Sequence, residues 1–230
     1  EYAYQNRIGQ SNWQTFGLVA DGLFQSQEEI DAWPTQKFGE VKPGDIRYLD
    51  INGDGVVDDY DKKPIGFPDV PEISYGFGAS VRWKGFDVSI FFQGIDNVNF
   101  FINNSYTQPF IANKTRHSNV FADLYGNYWT EDNRDAKYPR LTIGSNTNNN
   151  QASTFWMVDG RYIRLKNAEI GYTLPKRITN RAHIDRLRIY VSGVNLLTFS
   201  PFKLWDPDLQ TGAAGYPNNR VYNIGATLVF

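Results

Sequence analysis

The sequence contains no cysteine. A disulfide framework, a thiolate zinc site and thiol catalysis are therefore excluded. Histidine is scarce as well. His117 and His183 are the only two, both fall in expected loops or turns, and a surface position is the plain reading of each. Charge of one sign is also lacking: 23 Lys and Arg stand against 25 Asp and Glu, a formal net charge of −2. No basic surface for nucleic acid follows from that balance. No run of about 18 apolar residues exists, so no helix can span a membrane. G-x-S-x-G, P-loop, H-E-x-x-H and Rossmann patterns are all missing. The chain opens on Glu1 with no secretory leader in view, so a mature form or a fragment of a longer protein is expected.

Aromatic residues are abundant, at 16% of 230 residues, with 14 Tyr, 16 Phe and 6 Trp. That is high for a soluble domain. It is usual for a sugar-binding β protein or for a β-barrel with aromatic girdles, whose alternating strands never give a long apolar run. On length the chain is one large domain or two small ones.

Period-two alternation dominates. From Glu72 to Trp83, Ile73, Tyr75, Phe77, Ala79, Val81 and Trp83 share one face, and Ser74, Gly76, Gly78, Ser80 and Arg82 the other. After a tight turn at Lys84-Gly85, Phe86, Val88, Ile90 and Phe92 alternate with Asp87, Ser89 and Gln93, which defines a β-hairpin. In the stretch from Tyr162, Ile163 and Leu165 alternate in one phase, and Ala168, Ile170, Tyr172 and Leu174 in the other. The slip at Lys166-Asn167 marks a bulge. A strand is expected over Leu187 to Thr198, and a last one carries Tyr222, Ile224, Ala226, Leu228 and Phe230 on one face. Thr15 to Gln25 is a weaker strand, broken by Asp21-Gly22. A short helix ending near Trp129 is also expected.

Connections alternate short and long. Lys84-Gly85 and Pro175 to His183 are short; roughly 26–71, 96–159 and 200–219 are long. An up-and-down barrel in an outer membrane has this asymmetry, with short periplasmic turns and long extracellular loops. If Phe230 ends in the periplasm, all three long connections are extracellular.

One loop carries metal-ligating spacing. In DINGDGVVDDYD, Asp50, Asn52 and Asp54 occupy positions 1, 3 and 5 of an EF-hand calcium loop. Gly55 follows at the bend, Val56 offers a carbonyl at position 7, and Asp58 and Asp61 stand at 9 and 12. Such oxygen donors suit Ca²⁺, at about 2.3–2.6 Å, or Mg²⁺, at about 2.0–2.1 Å. Asp61 replaces the usual Glu at position 12, and its shorter side chain is less suited to bidentate ligation. The competing reading is a tight Asx-turn loop with solvated acids. Asp87, Glu169 and Asp159 are assigned to lumen or interfacial positions, no catalytic pair stands out, and no enzymatic activity is expected. Trp129, Trp156, Trp205 and Tyr216 are candidates to touch substrate or a capping partner, or else to pack the loops.

Several segments together resemble one family: GLVADGLFQSQEEID (Gly17 to Asp31), VKPGDIRYLDINGDGVVDDYDKKPIG (Val41 to Gly66) and PEISYGFGASVRWKGFDVSIFFQG (Pro71 to Gly94). YPRL (Tyr138 to Leu141), YIRLKNAEIGYTLP (Tyr162 to Pro175), RLRIYVSGVNLLTFS (Arg186 to Ser200) and the terminal NIGATLVF add to them. The chain resembles the C-terminal part of SusC/RagA-type TonB-dependent outer-membrane transporters of Bacteroidetes over nearly its whole length. The resemblance implies import of glycans or peptides, energy from TonB through a missing N-terminal region, a SusD-like surface lipoprotein as lid, and contact with outer-membrane lipid. The expected fold is all-β: antiparallel up-and-down strands forming residues 1–230 into the C-terminal segment of a large transmembrane barrel. About six strands are counted, against about 22 around a plug in such transporters. The alternative is a soluble β-sheet carbohydrate-binding module with a calcium loop.

Overall fold

A computed structural model describes residues 2–103, 107–108, 110, 121–211 and 215–230. His117 and parts of the 96–159 and 200–219 connections lie outside these. The chain divides into two compact units. The first comprises Glu1–Val70, Val98–Asp159 and Gln210–Ala213, and the second Pro71–Asn97, Gly160–Leu209 and Ala214–Phe230.

The first unit opens with β1 (Phe16–Gly17), β2 (Ala20–Leu23), α1 (Gln27–Ala32), β3 (Thr35–Gln36), β4 (Ile46–Tyr48), β5 (Val56–Val57) and β6 (Lys63–Pro64). The second unit then supplies β7 (Ile73–Trp83) and β8 (Phe86–Asp96). The chain returns to the first unit for β9 (Asn99–Phe101) and β10 (Met157–Asp159). It ends in the second with β11 (Tyr162–Thr173), α2 (Lys176–Thr179), β12 (Arg186–Phe199) and β13 (Val221–Val229).

The second unit is one five-stranded antiparallel sheet in the order β13-β12-β11-β8-β7. The expected hairpin, bulge and terminal strand all form. Lys84 and Gly85 both take positive φ, 48° and 88°, the mirror-image turn whose twist matches a two-residue hairpin. The register shifts between Leu165 and Asn167 on both sides of β11: against β8 the extra residue is Lys166, and against β12 it lies in β12, where Asn195 and Leu196 stand opposite Lys166. The sheet has five long strands, not six. Thr15 to Gln25 stays out of it because Asp21-Gly22 breaks the ladder: Gly22 sits at φ +101°, and β1 and β2 pair instead with β6 and β4.

Register then fixes the two faces. Val81, Val88, Ile170, Val191 and Ile224 lie opposite one another in sequence across all five strands. All five are exposed, from 40% at Val88 to 80% at Ile224. The neighbouring row, one residue along each strand, is Ser80, Ser89, Glu169, Ser192 and Asn223. Aromatics flank the aliphatic row. Trp83, Phe86 and Tyr172 form a row toward the tight turns, with the Phe86 and Tyr172 rings 4.6 Å apart. Phe77 stacks on Phe92 at 5.3 Å in the other direction. A one-residue slip would exchange the faces, so burial of either face specifies the register strongly.

The first unit is built differently. Its strands are two to four residues long, and a core of Leu18, Phe24, Ile46, Tyr48, Val57 and Trp156 is almost wholly buried. Ladders this short cannot hold a fold, and side chains take over. Asp45, fully buried, accepts from Lys42 N, from Arg140 at 3.0 Å and from Asn146 and Asn149 at 2.9 Å. Gln36 donates to Ile46 O and Asn148 Oδ1 and accepts from Tyr48 N. Ser26 caps α1 by accepting from Glu29 N. The segment before Trp129 is a set of turns rather than the expected helix. Gly126 has φ +77°, and Asn127 O and Trp129 N are both taken by Tyr138, which pulls the backbone out of the helical pattern.

Candidate functional site

The polar face of the sheet carries two charged clusters. Toward the tight turns, Arg188 bonds both Asp87 and Glu169, the latter at 2.6 Å. The guanidinium lies over Gly171, where a Cβ would collide with it. Arg82 and Arg186 line the same depression, of about 410 Å³. Asp87 and Glu169 thus stand on the polar face, as alternation requires. Their network satisfies every carboxylate with an arginine, so it braces the three strands β8, β11 and β12.

Toward the other end, Arg164 projects from β11 and is 2% exposed. Its guanidinium donates to Asp206 Oδ1 and Asp208 Oδ2, each at 2.6 Å, and its Nε to Thr198 Oγ1 at 2.9 Å. Asn218 Nδ2 donates to Asp208 at 2.7 Å. A buried cation must be paired, and these bonds clasp the 200–219 connection onto the sheet. Above the clasp lies a cavity of about 320 Å³ whose walls include Asn195, Lys203, Trp205, Asn218 and Arg220.

The candidates read from the sequence are spread over both units. Trp129 and Trp156 are 8% and 0% exposed and pack the core of the first unit. Trp156 Nε1 donates to Asn149 O, so neither ring offers a face to a ligand. Trp205 lines the Arg164 cavity and packs edge-on against Phe202 at 4.7 Å. Tyr216 is 81% exposed.

The 50–61 loop folds as nested Asx turns. Asp50 accepts from Gly53 N and Gly55 N, Asn52 from Asp54 N, Asp54 from Val56 N and Asp58 from Tyr60 N. Asp61 is fully buried and accepts from Ile51 N, Asn52 N and Asp58 N. Gly53 and Gly55 provide the positive φ that the bends need. Among the described residues, no three His, Cys, Asp or Glu side chains converge as a metal-binding group.

Sequence reasoning did not single out Arg164, Arg188, Asn195, Lys203 or Arg220. The alternation that places Ile163 and Leu165 on one face puts Arg164 on the other. Its acidic partners lie in the Trp205-Asp206-Pro207-Asp208 turn, which carries no periodic signal.

Antiparallel strands with one apolar and one polar face make the second unit an amphipathic sheet. Comparison with known proteins gives it a family context. No family model matches the chain. The chain is 29% identical over 238 residues to TonB-dependent receptor P3 of Formosa agariphila, covering 97% of this chain and 23% of that protein. It is 23% identical over 223 residues to TonB-dependent receptor SusC of Bacteroides thetaiotaomicron, covering 93% of this chain and 20% of SusC. A solved RagAB peptide transporter superposes with a TM-score of 0.67 at 23% identity, over 94% of this chain and 22% of that one. The resemblance to SusC/RagA-type TonB-dependent transporters thus extends along nearly all of the sequence. The chain spans less than a quarter of the length of the curated relatives it matches.

Proposed function

We propose that this chain forms part of the wall of an outer-membrane β-barrel in a TonB-dependent importer of glycan fragments or peptides. One observation supports it above the rest: the exposed apolar row across five strands, set beside an all-polar row. Covering a single Val or Ile side chain contributes roughly 1.5–3 kcal/mol. In water the face forgoes that gain at every position, and lipid supplies it. The five strands have 11, 11, 12, 14 and 9 residues, enough to cross a bilayer at a tilt. The Trp83, Phe86 and Tyr172 row on one side of the aliphatic band and the Phe77–Phe92 pair on the other suit the two membrane interfaces. No helix among the described residues is long and apolar enough to cross a membrane, a fact that says nothing of strands.

The sheet's edges, β7 and β13, need partners in lipid, where an unpaired edge costs several kcal/mol per group. Further strands of the whole transporter supply them in this reading, and the polar face lines the lumen. TonB energises the cycle and a SusD-like lipoprotein covers the outer mouth, as carried over from the relatives. The function is transport, with no catalytic step.

Calcium, or magnesium, at the 50–61 loop is a second part of the proposal. The donors are all oxygen, and Asp50, Asn52, Asp54 and Asp58 keep lone pairs beyond those given to amides. A bound cation would draw these side chains and the Val56 carbonyl inward, with Asp61 holding the loop from below. Calcium should then raise the thermal midpoint of the native polypeptide relative to chelator, and Asp50→Ala should abolish the shift.

Fractionation of cells expressing the native polypeptide tests the main reading. Recovery in the outer membrane, detergent-dependent solubility and heat-modifiable electrophoretic mobility are expected. Recovery as a soluble protein without detergent would favour the carbohydrate-binding module instead.

A further inference from the structure

The cavity above Arg164 has a charge imbalance with a consequence for what enters it. We propose that it binds an anionic sugar, a ring bearing a carboxylate or sulfate group. The inference rests on the transporter reading and names a substrate chemistry for the lumen-facing side. Asp206 and Asp208 are both committed to Arg164, at 2.6 Å each. Among the described residues, neither Lys203 nor Arg220 has an ion-pair partner, yet both line the cavity. Three cations, Arg164, Lys203 and Arg220, thus stand against two carboxylates, and the group keeps a net charge of +1.

Other parts of the wall are polar as well. Thr198 and Asn218 offer hydroxyl and amide contacts to a sugar ring. Trp205 lines the cavity as well and gives an apolar surface for the ring. The volume of about 320 Å³ falls at the lower end of ligand sites, the size of a single sugar residue with its substituent rather than a long chain. The anionic group lies between Lys203 and Arg220.

The test is calorimetry on the native polypeptide in detergent, with four probes: hexagalacturonate, a sulfated galactan hexasaccharide, maltohexaose and tetraglutamate. At least one anionic oligosaccharide should bind about tenfold tighter than maltohexaose, with affinity falling as salt rises. The double variant K203E/R220E should lose about tenfold or more of that affinity. Heat-modifiable mobility checks that each variant is folded, and K203Q/R220Q serves if charge reversal prevents assembly. Whichever anionic oligosaccharide binds identifies the substituent. Equal binding of maltohexaose, tighter binding of tetraglutamate, or unchanged affinity in the folded double variant would overturn the inference. Failure of the wild type to insert in a membrane breaks the transporter reading, whereas insertion without anionic preference breaks this inference alone.

Discussion

The first unit hides its large side chains: Trp156, Tyr48 and Leu18 have no exposed surface. The second displays them: Val81 is 64%, Trp83 65% and Ile224 80% exposed. Both are β-rich and come from one composition, so hydrophobicity alone does not separate them. The difference lies in periodicity. Strict alternation over nine to fourteen residues sorts side chains onto two faces, and a single sheet can cover neither by itself. Short irregular strands can wrap around a centre, and the first unit buries its apolar groups without help. The lesson is that a long, regular strand with an apolar face needs cover from outside its own sheet, and in the proposed reading that cover is lipid.

Substitutions that break this contrast should act in opposite ways on the two units. The largest effect is expected at Trp156. Trp156→Ala removes a fully buried ring and its bond to Asn149 O. It should cost about 3–5 kcal/mol and open the first unit to limited proteolysis while the long strands stay protected. Next comes Ile170→Arg at the middle of the exposed row. In lipid it should cost about 2–4 kcal/mol and lower outer-membrane levels steeply, while Ser192→Arg on the polar face should be tolerated. If both arginines are tolerated alike, the faces are not lipid and lumen.

A smaller loss is expected at Asp61, which accepts three backbone amides in a site closed to solvent. Asp61→Ala should cost about 1–3 kcal/mol, read as a lowered denaturation midpoint of the first unit. The smallest effect is electrostatic. The Lys137 ammonium, and after it the Tyr138 hydroxyl, bond Asp123 and hold its carboxyl below the usual carboxylate range. A depressed folded value means the contribution is present above about pH 4 and is lost as pH falls through the folded value. Lys137→Met should remove most of that acid sensitivity, visible as a flatter midpoint against pH below about 5.

The sequence was legible where period two was long. The β7–β8 hairpin, the Lys166 bulge and the terminal strand announce themselves because each side chain's face follows from its neighbours. Nothing comparable marks the first unit. Asp45 and Asn149 are 104 positions apart, and Gln36 and Asn148 are 112 apart. The Asn-rich run from 146 to 150 carries no apolar periodicity, yet Asn148 is fully buried and Asn149 nearly so. Asparagine there acts as hydrogen-bonding filler between segments, a role that no local pattern reveals. The α1 helix did have a local signal, Ser26 with Glu29 three residues on, a spacing that caps a helix start. On the polar face Asp87 and Glu169 were legible as a class, but their common partner Arg188 depends on cross-strand register.

The central claim is that adjacent residues of β11 face lipid and water in turn. The 230-residue sequence has no native cysteine, so single cysteines at 167, 168, 169 and 170 can carry nitroxide labels in the native polypeptide, with any cysteine elsewhere removed. Collision with oxygen, which partitions into lipid, and with a water-soluble nickel chelate is then measured in bilayers. The account predicts oxygen maxima at 168 and 170 and nickel-chelate maxima at 167 and 169. Protection of 168 and 170 from both reagents would mean that a protein core covers the apolar face, and would contradict the account.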